Sequence, residues 1–196
     1  MKTSFYAVGI GASAGGLVPL YEFFDHIPND INAAFVVTTH LDRDRYSILA
    51  KLLSTHSGLH VTRIEQDIQI QPGNIYVLTE NTSITTENGK IKVIPRDQNI
   101  INSSVDIFFK SLAMDFKERA IGIVLSGGGR DGLAGALKLN ELGGSVMAQT
   151  LNTAKAHGMP RAIIDFDHPI DVLSPAKLAE KIVELCGVTS DVPSQK

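Results

Sequence analysis

The chain has 196 residues and a formal net charge of −3, with 18 Lys and Arg against 21 Asp and Glu. That length predicts one domain with a real core, and the charge balance offers no global basic field for nucleic acid or an anionic membrane. Cys186 is the sole cysteine, which excludes an internal disulfide and paired-thiolate metal ligation and fits a reducing compartment, while no apolar stretch approaches the ~20 residues that span a bilayer.

Met1-Lys2-Thr3-Ser4 leads into a short strand-like run without a signal-peptide layout, so a cytoplasmic protein is expected. Phe5–Ile10 is β-rich, runs into Gly11-Ala12-Ser13-Ala14-Gly15-Gly16 and continues as Leu17-Val18-Pro19-Leu20. This reads as strand, tight turn and helix, the helix lasting to about Phe24 before Pro28-Asn29-Asp30. Ala33–Thr38 is a second apolar run, ending at Thr39-His40. Arg45–Thr55 predicts a helix with Ile48, Leu49, Leu52 and Leu53 on one face, and Val61–Glu65 a short strand. Residues 68–97 change character. Ile75–Leu78, Ser83–Thr86 and Lys90–Ile94 are short β-rich runs, and Asn88-Gly89 signals a type I′ hairpin, so the whole stretch reads as an antiparallel insertion at the sheet edge.

Ser104–Phe116 returns to helix, with Ser103 or Ser104 as N-cap and Asp106 in the first turn. Ala120–Leu125 is a buried central strand that ends in a second glycine turn, Ser126-Gly127-Gly128-Gly129-Arg130-Asp131-Gly132. Leu133–Leu142 is the next helix, stopped by Gly143-Gly144. Ser145–Ala148 is a strand, Gly158-Met159-Pro160 opens a short helix, Ile170–Leu173 is the last strand, and Pro175–Cys186 the closing helix. The alternation predicts an α/β fold: a doubly wound, mostly parallel, Rossmann-like sheet with helices on both faces and a small antiparallel hairpin insertion. One domain is expected over residues 1–188, with 189–196 as a flexible tail.

The first turn fits two templates. Gly11-Ala12-Ser13-Ala14-Gly15 has the G-x-S-x-G spacing of a nucleophile elbow, which projects a serine hydroxyl above a helix N-terminus. Gly9–Ala14 also matches G-x-G-x-x-G/A, the dinucleotide fingerprint. A dinucleotide site usually has an acid at the end of the second strand, and here that position reads Thr38-Thr39-His40. No P-loop is present. Three residues follow three core strands: Ser13 the first, His40 the second and Asp131 the strand at 120–125. Parallel strands converge their carboxyl-end loops on one edge, so these three can meet there as nucleophile, base and orienting carboxylate. Each also has a plain structural reading: Ser13 as a cap, His40 as a loop residue, Asp131 as the N-cap of its own helix. His157 is the substitute base. His26, His56, His60 and His168 lie near helix ends or in polar loops, and no spacing of His, Asp and Glu makes a metal site.

Ile10–Gly16, Thr39-His40-Leu41, Leu125–Gly132 and Gly158-Met159-Pro160-Arg161, in that order, resemble the catalytic domain of the chemotaxis protein-glutamate methylesterase (CheB) family. The style of His40-Leu41-Asp42-Arg43-Asp44 looks closest to the forms fused to methyltransferase domains. The resemblance implies hydrolysis of γ-glutamyl methyl esters on the cytoplasmic helices of chemoreceptors, with receptor glutamines as possible deamidation targets and no cofactor. It implies Ser13 as nucleophile, His40 as base and Asp131 as orienting residue. Backbone N–H groups of Ala14 and Gly128 are the candidates for the oxyanion hole, and Arg43, Arg130 and Arg161 for contact with an acidic substrate. The chain departs from the family where Gly128 replaces the usual Met, where Thr39 replaces the usual Gln, and where Ile100-Ile101-Asn102-Ser103 replaces a basic segment. No receiver domain is expected here, so a separate or fused regulatory or methyltransferase partner would control it. The rival readings are a non-catalytic docking module of the same fold and a dinucleotide-binding protein.

Overall fold

A computed structural model describes residues 4–40, 46–96 and 103–188. In chain order the elements are β1 (Tyr6–Ala12), α1 (Leu17–Phe24), β2 (Ala33–Thr39), α2 (Leu49–Leu53), β3 (His60–Ile64), β4 (Ile68–Gln69), β5 (Asn74–Leu78), β6 (Thr82–Glu87), β7 (Lys90–Pro95), α3 (Ser104–Phe116), β8 (Ala120–Val124), α4 (Leu133–Glu141), β9 (Ser145–Gln149), α5 (Gly158–Phe166), β10 (Asp171–Leu173) and α6 (Pro175–Cys186). Seven strands form one parallel sheet in the order β10-β9-β8-β1-β2-β5-β3. The doubly wound α/β architecture follows from the central runs. Residues 7–12 of β1, 33–38 of β2 and all of β8 are buried on both faces, which requires a covering layer on each side.

One layer is α1, α2 and α6, where Phe23 and Phe24 meet Phe35 of β2 edge-on. The other is α3, α4 and α5 together with the small sheet, whose Ile84 and Ile91 join Phe108 and Phe109. α3 lies close against the strands because Gly9 and Gly122 stand in register on β1 and β8. A Cβ at either would come within 3.0 Å of the Phe109 ring.

Three expectations are corrected. Ile75–Leu78 does not belong to the antiparallel insertion. As β5 it pairs in parallel with β2 and β3, and four consecutive buried side chains suit a strand covered on both faces. The antiparallel sheet is β4-β7-β6, with Asn88 and Gly89 both at positive φ in the expected hairpin turn. The helix at 45–55 is only the five residues of α2. Its upstream backbone is engaged elsewhere: Arg63 donates to the Ser47 carbonyl at 2.6 Å, and the Ser47 N–H donates to Glu80. Arg45 lies outside the described residues. Finally, neither Ser103 nor Ser104 caps α3 through its side chain; a carboxylate from another loop does so.

Candidate active site

The chain leaves β1 for β2 on one side and later returns to β8 on the other, so the carboxyl ends of β1 and β8 form the topological switch point, where ligands bind in sheets of this kind. Ser13 is the first residue beyond β1, His40 the first beyond β2, and Asp131 lies between β8 and α4. The structure brings all three into one line. His40 Nδ1 is 3.0 Å from Ser13 Oγ, and His40 Nε2 is 2.7 Å from Asp131 Oδ2.

The surroundings decide where the protons sit. The Asp131 carboxylate is 1% exposed. Its Oδ2 also accepts from the Val105 N–H at 3.1 Å and its Oδ1 from the Asp106 N–H at 2.9 Å. These are the free donors at the positive end of α3. An ionised carboxylate only accepts, so Nε2 carries the imidazole proton and Nδ1 turns its lone pair to the Ser13 hydroxyl. The ring is therefore set to take a proton from Ser13, with a buried anion behind it to stabilise the imidazolium.

The two glycine turns are joined beneath Ser13. The Ser13 N–H donates to the Ser126 carbonyl at 2.9 Å, and the Ser126 hydroxyl bonds the Ala14 carbonyl at 2.8 Å and the Ala156 N–H at 2.9 Å. Gln149 at the end of β9 accepts from the Ser126 N–H at 2.8 Å. Gly127 is required by space, since a Cβ there would lie 2.1 Å from the Met159 sulfur and 3.1 Å from Ser13 Cβ. The Gly127 N–H is engaged by the Ala156 carbonyl. Those of Ala14 and Gly128 donate to no other described residue. A Cβ at Gly128 would meet nothing within 4 Å.

The arginines are not gathered onto this line. The Arg130 guanidinium stacks over the Phe166 ring at 4.5 Å, Arg161 is an exposed side chain of α5, and Arg43 lies outside the described residues. Of the other histidines, His56 stacks on Tyr21 and contacts Asp25, and His26 bonds its own helix at the Glu22 carbonyl. His157 is exposed at the start of α5. No group of three metal-ligating side chains occurs among the described residues, nor is any of their helices long and apolar enough to cross a membrane. Sequence reasoning missed Ser126 as the link between the turns. Its signal was its place as the first residue of the second glycine turn, the counterpart of Ser13.

A serine, a histidine and a buried carboxylate hydrogen-bonded in sequence at the strand ends form the arrangement of serine hydrolases. The chain belongs to the CheB methylesterase family, whose model matches residues 8–182. It is 32% identical over 180 residues to protein-glutamate methylesterase/protein-glutamine glutaminase 3 of Pseudomonas aeruginosa, covering 91% of this chain and 54% of that one. It is 31% identical over 183 residues to the corresponding protein of Thermotoga maritima, covering 91% and 53%. The crystal structure of the Thermotoga maritima CheB methylesterase catalytic domain superposes with a TM-score of 0.85 at 30% identity, covering 93% of this chain and 99% of that one. The chain thus spans about half the length of the curated relatives it matches.

Proposed function

We propose that this chain is a serine esterase that hydrolyses γ-glutamyl methyl esters on the cytoplasmic helices of methylated chemoreceptors, giving glutamate and methanol, and that it can deamidate glutamines presented in the same way. The single observation that carries this is the Ser13–His40–Asp131 line. The names of the relatives supply the substrate class. The whole unit from residue 1 to 188 is read as the catalytic domain, working in the cytoplasm with no cofactor and under a separate or fused regulatory partner.

In this mechanism His40 Nδ1 takes the Ser13 proton as Oγ attacks the ester carbonyl. General-base help of this kind contributes ~10²–10⁴-fold. The tetrahedral oxyanion is received by the N–H groups of Ala14 and Gly128, each such donor being worth ~10²–10³ in rate. The intermediate collapses by breaking the bond to methoxide, which leaves as methanol with the proton held on His40, and a γ-glutamyl ester remains on Ser13. Water then attacks that acyl-enzyme, giving one proton to His40. The C–Oγ bond breaks, the proton returns to Ser13, and the receptor's carboxylic acid is released and loses its own proton to solvent. Asp131 keeps the imidazole in the productive tautomer throughout. Arg43, Arg130 and Arg161 are the cations that would meet acidic side chains flanking the ester.

A fluorophosphonate that reacts with activated serines tests the reading. The expected result is one adduct, mapped by mass spectrometry to Ser13 and absent in Ser13→Ala. An unlabelled chain that still binds a methylated receptor fragment would instead be a docking module, and thermal stabilisation by NAD would support the dinucleotide reading.

A further inference from the structure

Asp131 and Asp106 each precede or open a helix, yet neither caps its own. Asp131 accepts the second and third N–H groups of α3, from Val105 and Asp106. Asp106 returns the contact: its Oδ1 accepts the N–H of Gly132 at 3.0 Å and of Gly135 at 2.8 Å, at the start of α4. The two helices exchange their N-terminal carboxylates, each satisfying donors that would otherwise be orphaned at the other's N-terminus. The exchange sits where α3 and α4 are in tight contact, since a Cβ on Gly135 would lie 2.4 Å from Phe109 Cβ and 3.3 Å from Asp106 Cα.

The position is costly for a second acid. Burial pushes the Asp106 carboxyl up from the ordinary aspartate range and the Asp131 charge adds to this, while the two N–H bonds and Lys110 oppose it. An apolar residue with a conventional cap would avoid that cost. What Asp106 does that such a residue cannot is reach Gly132, the residue immediately after Asp131, which is held at φ 98°. Asp131 has already given both oxygens to α3 and His40, so its own backbone is fixed from the far side by Asp106.

Resting on the reading of Ser13, His40 and Asp131 as the catalytic line, we infer that Asp106 is a positioning residue for that chemistry. It holds the Gly132 turn, and through it the Asp131 carboxylate, in line with His40 Nε2. The test is the rate of Ser13 phosphonylation, measured on folded native protein, Asp106→Ala and Asp106→Asn. It is followed alongside kcat and KM for methanol release and the low-field proton resonance of the His40–Asp131 hydrogen bond. Misplacing a catalytic group by a remote change costs on the order of 10²-fold, which is the loss expected for Asp106→Ala in phosphonylation and kcat, with KM little changed. Asp106→Asn keeps an acceptor oxygen but loses its charge assistance, so a smaller loss of about tenfold is expected. The low-field resonance should weaken in the same order. A folded Asp106→Ala that labels at the native rate overturns the inference. If that variant does not fold, a native labelling rate in Asp106→Asn overturns it equally. Failure of the native chain itself to label at Ser13 is a different result, which removes the esterase reading and the inference together.

Discussion

The Ser13 N–H donates to the Ser126 carbonyl at 2.9 Å, so the first residue beyond β1 is tied to the turn that ends β8. The Ser126 hydroxyl completes the tie through Ala14 and Ala156. Ser126→Ala keeps the backbone bond but removes the bonds to the Ala14 carbonyl and the Ala156 N–H, each worth about 0.5–1.5 kcal/mol. Urea unfolding should show that loss. Methanol release should fall mainly in kcat, because the affected atoms hold the nucleophile rather than the substrate.

Asp131→Asn removes the anion and also reverses a proton. The Val105 N–H shares Oδ2 with His40 and the Asp106 N–H takes Oδ1, so an Asn whose oxygen keeps the Asp106 bond gives up the Val105 bond and turns its NH₂ toward His40, which makes Nε2 an acceptor. Nδ1 then carries hydrogen and cannot receive the Ser13 proton. A loss of about 10⁴ in kcat with the fold intact is expected for this tautomer error, read from steady-state kinetics and circular dichroism together.

Neighbouring glycines should respond in opposite ways. Gly127→Ala drives a Cβ against the Met159 sulfur and Ser13 Cβ, and overpacking of that sort costs about 1–3 kcal/mol. Gly128→Ala adds a Cβ with no heavy atom within 4 Å and should change stability by less than about 0.5 kcal/mol. Chemical denaturation of the two variants separates a spatially required glycine from one that only leaves room.

Two aspartates should give opposite pH signatures. The Val93 N–H and then the Lys92 ammonium hold Asp67 below its ordinary range. Its folded pKa lies below the unfolded one, so its contribution is present above the ordinary aspartate pKa and is lost as pH falls through the lowered value. Asp106 is raised by burial. Its contribution is complete below the ordinary aspartate pKa and is lost as pH rises through the raised value. On acidification the stability gap between native protein and Asp67→Asn should narrow, while the gap to Asp106→Asn should move in the native protein's favour.

The fold and the Ser13–His40–Asp131 hydrogen-bonded line were legible where sequence pattern and local physics agree. Residues 5–16 and 120–132 end apolar runs in glycine turns, and parallel topology brings their loops and His40 to one edge. The structure differs where a long-range contact overrides a local signal. Ile75–Leu78 reads as part of the insertion because short β-rich runs and a hairpin signal follow it, although its unbroken apolar run has the character of a covered strand. The helix predicted from residue 45 is cut short by Arg63 and Glu80, distant residues that engage Ser47. The exchange between Asp131 and Asp106 was invisible for the same reason: Asp131 reads as the cap of its own helix and Asp106 as a first-turn acid of its own, and only the packing of α3 on α4 shows that they are swapped.

The most direct measurement is methanol released from a methylated chemoreceptor cytoplasmic fragment by the native chain and by Ser13→Ala. The account expects release by the native chain that collapses in Ser13→Ala while the fold and fragment binding persist. Equal release by both proteins, or none by a native chain that binds the fragment, would contradict it.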